Sequence, residues 1–198
     1  KIKQIKITGN RSFSDKKLKR NFETALPIWY MFWSTRGVYS SPMLQGDLDR
    51  LTSFYQDKGF MDFTIESTQV SLSKNKEEVY ITININEGKQ YIVEKIHVSG
   101  KLIAPIQEIA ELIEIKTGEY ISKSKILQST ENIKARLGEE GYAFSRINAV
   151  PGKTKDDDTV DVNFFIDPGT RAYVRRINIS GNITTQDEVL RREIRQME

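Results

Sequence analysis

The chain has 198 residues, of which 38% are hydrophobic and 29% charged, the balance of a folded rather than a disordered polypeptide. Its formal charge of +3, from 30 basic and 27 acidic side chains, is too small to require a polyanionic partner. There is no cysteine, which excludes disulfides and thiolate metal sites, and no apolar run approaches the roughly 18 residues of a membrane-spanning helix.

The first element is an alternating segment, with Ile5 and Ile7 on one face, leading into Gly9-Asn10. A helix is expected next, with Ser14 as N-cap and Leu18, Phe22 and Ala25 on its inner face. The aromatic stretch Pro27-Ile28-Trp29-Tyr30-Met31-Phe32-Trp33 follows, and Trp29 and Trp33 are candidate partner-contacting residues of a loop, weighed against folding back onto their own domain. A second helix carries Leu44, Leu48, Leu51 and Tyr55 at helical spacing and stops at Lys58-Gly59. Two strands close the unit. In the first, the apolar phase changes between Phe63 and Ile65 and Val70 and Leu72, which predicts a bulge near Ser67 and Thr68. In the second, Val79, Ile81, Ile83 and Ile85 alternate with polar residues.

The same order then recurs. Ile5-Lys6-Ile7-Thr8-Gly9-Asn10 is echoed by Ile96-His97-Val98-Ser99-Gly100-Lys101 and by Ile177-Asn178-Ile179-Ser180-Gly181-Asn182. Lys58-Gly59-Phe60 is echoed by Glu140-Gly141-Tyr142, and Glu87-Gly88 by Pro168-Gly169. Gly9 to Gly59 is 50 positions and Gly100 to Gly141 is 41, so about nine residues are inserted in the first copy, in the neighbourhood of the aromatic stretch. In the second copy Pro105 suits a first helical position, with Ile106, Ile109, Ala110 and Ile113 on one face. Val160, Val162, Phe164 and Ile166 form its last strand. In the third copy Thr185 and Glu188 have capping-box spacing. The chain opens directly on a strand pattern and ends within a helical one, so a piece of a longer polypeptide is expected.

Each unit reads as strand, helix, helix, strand, strand, in an α+β fold whose sheet is covered by helices on one face. If the first and third strands pair in parallel, the order is 1-3-2 and the second strand is a free edge. The order 3-2-1 would hide that strand in the middle.

This repeat resembles the polypeptide-transport-associated (POTRA) domain, as found in outer-membrane-protein assembly factors. The likeness lies in Gly46-Asp47-Leu48, in Phe54-Tyr55-Gln56-Asp57-Lys58-Gly59-Phe60, in Ser67-Thr68-Gln69-Val70-Ser71-Leu72 and in Asn86-Glu87-Gly88. It continues in Tyr173-Val174-Arg175-Arg176-Ile177 and in the tail from Val189 to Glu198. It implies tandem β-α-α-β-β repeats, each a three-stranded mixed sheet covered on one face by two antiparallel helices. The units would be 1–88, 89–169 and a truncated 170–198, similar to the third, fourth and beginning of the fifth repeat. It also implies a non-catalytic module at the periplasmic face of the bacterial outer membrane. Its partners would be unfolded outer-membrane proteins, lipoprotein subunits of the assembly complex and the membrane barrel of the full-length chain, with no cofactor.

An exposed strand edge fits that role, because main-chain pairing asks little of the guest's sequence. The candidate edge comprises Phe63, Ile65, Thr68, Gln69, Val70, Ser71 and Leu72. Ile65 is weighted toward the core, and Val70 and Leu72 equally between packing and partner contact. The resemblance makes the same segment a lipoprotein dock and puts Glu198 on a lipoprotein contact. The alternative class is a nucleic-acid-binding α/β array, against which stand the scattered basic residues and the lack of an RNP-type aromatic pair, so no nucleic acid is expected. Catalysis has little to build on. His97 is the single histidine, and Gly152-Lys153-Thr154 imitates the end of a phosphate loop but has Ile147 where its first glycine belongs.

Overall fold

A computed structural model describes residues 2–20, 22–23, 39–75, 77–156, 158–173, 175–181 and 186–193. Two three-stranded mixed sheets follow one another along the chain. The first holds β1 (Ile2–Thr8), β2 (Thr64–Leu72) and β3 (Val79–Asn86), and the second β4 (Ile92–Gly100), β5 (Arg146–Lys153) and β6 (Thr159–Asp167). The orders are β1-β3-β2 and β4-β6-β5, with β1 parallel to β3, β4 parallel to β6, and the outer pairs antiparallel. Of the two orders open to the sequence, the structure has 1-3-2.

In the first unit α1 (Asp15–Lys19) and α2 (Ser41–Gln56) supply the helical layer, and in the second α3 (Ile106–Glu111) and α4 (Lys123–Glu139). Leu44, Leu51 and Tyr55 of α2 are buried against Ile5, Ile7, Ile81, Ile83 and Ile85, with Leu48 packed at the margin. Val93, Ile109, Ile133, Leu137, Val160, Val162, Phe164 and Ile166 form the second core. Apolar burial on this scale, at about 25 cal/mol per Å², is what orders each unit.

The first helices are shorter than their apolar patterns predict. α1 stops at Lys19, so Phe22 joins the core from beyond the helix, and Ala25 lies outside the described residues. In the second unit Ile109 alone of the expected face is buried; Ile106 is 49% exposed, Ala110 is exposed, and Ile113 packs at the core's edge. A helix of six residues turns one position fully toward the sheet, and Ala104, Ile115 and Ile121 from its flanking loops fill the remaining space. Pro105 has φ −55° and ψ 141°, an extended cap, so the helix begins one residue later than expected.

Gly9 and Gly100 end the parallel strands. Their φ values are 94° and 99°, and a Cβ there would lie 2.0 Å from the Ile85 carbonyl oxygen and 2.2 Å from that of Ile166. Lys101 N donates to that same Ile166 oxygen at 2.9 Å. The carboxylate of Glu87, next to the end of β3, accepts from the Arg11 and Ser12 amides, the Ser12 hydroxyl and the Tyr55 hydroxyl. It ties the turn after β1 to α2 and β3. The third copy contributes α5 (Asp187–Glu193), and Ile177–Ile179 adds no strand to either sheet. Thr185 lies outside the described residues.

Candidate functional site

β2 is the antiparallel edge of the first sheet, and its register fixes which backbone groups are free. Ser73 N donates to Glu78 O at 2.9 Å, so Ser73 and Glu78 form a hydrogen-bonded pair. Bonded and non-bonded pairs alternate in an antiparallel ladder. Ser71, Gln69 and Ser67, opposite Tyr80, Thr82 and Asn84, therefore turn their amides and carbonyls inward. Thr68, Val70 and Leu72, opposite Ile83, Ile81 and Val79, turn theirs outward. Directly opposed residues share a sheet face, so these three side chains lie on the helix-covered side. The helices do not reach them all: Val70 is 41% and Leu72 60% exposed. The result is a row of outward amides and carbonyls backed by an uncovered apolar shelf.

The register shift falls between Ile65 and Ser67, making Glu66 the bulged residue, just ahead of the expected Ser67 and Thr68. Asn84 Nδ2 donates to Ser67 Oγ at 2.7 Å and holds the strand beyond the bulge. Two of the candidate residues are drawn away from the edge. Phe63 precedes β2 and is 5% exposed, its ring stacked on Tyr55 at 4.3 Å, so it belongs to the core. Ile65 packs against the same core. Gln69 and Ser71 are exposed on the open face. Trp29, Trp33 and Glu198 lie outside the described residues. His97 is exposed, with its Nε2 3.8 Å from Asp161 Oδ2.

The junction between the two units was not legible as a site. Asp57, the C-cap of α2, accepts from Ser124 N at 2.7 Å and from the Ser122 hydroxyl at 3.3 Å, capping α4 of the following unit. On the sheet side Asp62 Oδ2 accepts from the Tyr91 hydroxyl at 2.6 Å and from Lys153 Nζ at 2.9 Å. Lys153 and Tyr91 hold the Asp62 carboxyl below the usual aspartate range, and Asp62 in turn holds the Lys153 ammonium above the usual lysine range. Tyr91 N also donates to Gly59 O at 2.9 Å. Beside the Asp57–Ser124 anchor runs a groove of about 860 Å³ lined by Phe13, Phe54, Lys58, Gln90, Tyr120 and Lys125, among others. The pairs span 29 to 91 positions, and no periodicity marks them.

The family model for POTRA, described as a surface antigen variable number repeat, matches residues 1–88 and 91–169. The chain belongs to the POTRA family. These POTRA repeats are 35% identical over 201 residues to the outer membrane protein assembly factor BamA of Neisseria meningitidis serogroup B, covering 100% of this chain and 25% of that protein. They are likewise 35% identical over 200 residues to the BamA of Buchnera aphidicola, covering 100% of this chain and 32% of that one. The chain thus spans about a quarter to a third of the length of these relatives. Among solved structures, the crystal structure of Haemophilus influenzae BamA POTRA3-5 superposes with a TM-score of 0.81 at 28% identity, covering 100% of this chain and 78% of the other. The likeness therefore runs to the third through fifth POTRA repeats of that assembly factor.

Proposed function

We propose that these POTRA repeats form a periplasmic, non-catalytic scaffold and chaperone module of an outer-membrane-protein assembly factor. Unfolded outer-membrane proteins add to the free edge of β2 as an extra strand, with lipoprotein subunits of the assembly complex and the membrane barrel of the longer chain as further partners. The units would be 1–88 and 89–169, followed by the start of a third at 170–198. The observation that carries the reading is the run of outward backbone groups at Thr68, Val70 and Leu72 beside exposed Val70 and Leu72. Main-chain pairing binds many sequences, and the apolar shelf favours the alternating pattern of a membrane β-strand. Its likeness to relatives named as outer membrane protein assembly factors supports the same role.

Backbone NMR of the labelled chain, titrated with a synthetic peptide copying one outer-membrane β-strand, tests this. Shifts concentrated on 64–72 and on β3 behind it are expected. No shift at millimolar peptide would overturn strand addition.

A further inference from the structure

The two repeats present equivalent edges, and they are not equally open. Register aligns them: Ile5, Ile81 and Val70 lie side by side in the first sheet, where Ile96, Val162 and Pro151 lie in the second. Pro151 therefore occupies the place of Val70, at the centre of the outward row of β2. Its backbone direction follows from the hairpin. Thr154 N donates to Thr159 O at 3.2 Å, so Gly152, Val150 and Asn148 form the inward-bonded pairs. Ile147, Ala149, Pro151 and Lys153 then face outward, and at Pro151 there is no amide hydrogen to offer. The pyrrolidine ring occupies that space, so an incoming carbonyl meets a methylene instead of a donor. The sheet of the second repeat loses nothing by this, since the missing donor is one its own ladder does not use.

The far end of this edge is committed as well. Lys153 Nζ is bound to Asp62 Oδ2 of the first repeat and lies 5.1 Å from the centroid of the Tyr91 ring. The opposite edges, β1 and β4, are each broken by a register shift, near Lys3 and Glu94. The beginning of β4 is also occupied, with Gly118 N donating to Val93 O at 2.8 Å and Val93 N to Glu119 O at 2.9 Å.

We infer that, of the two equivalent antiparallel edges, strand addition is confined to β2, because Pro151 closes that of the second repeat, and that the guest is an extended segment with apolar residues at alternate positions. Three guest side chains fall on the helix side, opposite Thr68, Val70 and Leu72, and their neighbours fall on the open side with Gln69 and Ser71. The inference rests on strand addition as proposed above and assigns it to one repeat and one amphipathic pattern.

A swap of the two residues tests it. The labelled 198-residue chain is titrated with a peptide alternating valine and threonine, following the amides of all six strands in wild type, Val70→Pro and Pro151→Val. Wild type is expected to shift along β2 and on β3 behind it, with β5 unmoved. Val70→Pro should weaken binding about tenfold, the effect of losing one well-made hydrogen bond and its neighbours' alignment. Pro151→Val should add a second set of shifts along β5. If Val70→Pro proves unfolded, the gain in Pro151→Val decides alone. Equal shifts on β2 and β5 in wild type, shifts centred on β1 or β4, or a silent β5 in Pro151→Val would each overturn the confinement while leaving strand addition standing. No shift on any strand would overturn strand addition itself, and the confinement with it.

Discussion

Glu87→Gln removes one charge while keeping the shape of the side chain, and the structure sets what that should cost. Glu87 is 8% exposed, and its carboxylate accepts from Arg11 N at 3.0 Å, Ser12 N at 3.1 Å, Ser12 Oγ at 2.8 Å and the Tyr55 hydroxyl at 2.8 Å. Hydrogen bonds to a charged group contribute about 1.5–3 kcal/mol each, against about 0.5–1.5 kcal/mol for neutral ones. Glutamine keeps one acceptor oxygen and turns an amide NH₂ toward Ser12, and the relief from burying a charge offsets part of the loss. A net destabilisation of about 1–3 kcal/mol is expected in the first repeat, a large share of the roughly 5–15 kcal/mol that holds a domain together.

The pH dependence has a definite sign. Burial pushes the Glu87 carboxyl up, but the hydrogen bonds from Ser12, Tyr55 and the backbone amides outweigh it and leave it below the usual glutamate value. The folded value therefore lies beneath the unfolded one. The stabilisation is complete above the unfolded pKa of about 4.3 and is lost as pH falls through the folded value. The gap between wild type and Glu87→Gln should be widest near neutrality and close in acid. Native-state hydrogen exchange at the Ile81 and Ile83 amides of β3 reads the first repeat separately from the second. A gap below about 0.5 kcal/mol at neutral pH, within the range of ordinary surface substitutions, or one that widens in acid would refute the argument.

Two further outcomes follow from other contacts. Gly100→Ala places a Cβ 2.2 Å from the Ile166 carbonyl at a φ of 99°, and exchange at Val162 and Phe164 should report a loss of about 2–4 kcal/mol in the second repeat. Asp57→Ala leaves Ser124 N without its carboxylate cap across the junction, which should cost about 0.5–2 kcal/mol and broaden the angle between repeats; residual dipolar couplings that still fit one rigid arrangement would contradict it.

The sequence by itself determined the repeat, the element order and the inward faces. Val79 to Ile85 and Val160 to Ile166 alternate with period two, and Leu44 to Tyr55 advances with the period of a helix. These patterns are local, because burying one face of a strand or helix constrains residues two, three or four apart. Gly9 and Gly100 recur because backbone with positive φ, pressed against a neighbouring carbonyl, admits no side chain.

Tertiary structure decided the rest. Phe63 and Val70 both read as apolar edge residues, yet one ring stacks on Tyr55 and the other side chain stands half in solvent, because a bulge and the reach of α2 separate them. Ile106 and Ala110 have helical spacing with Ile109, but α3 is too short to bring them to the sheet. Asp62 and Lys153 meet across 91 positions, a distance at which no periodic signal survives. Pro151 was visible as a residue, but not the side to which its missing amide hydrogen points. That direction is set by which strand it pairs with and in which register, so it exists only once the sheet has formed.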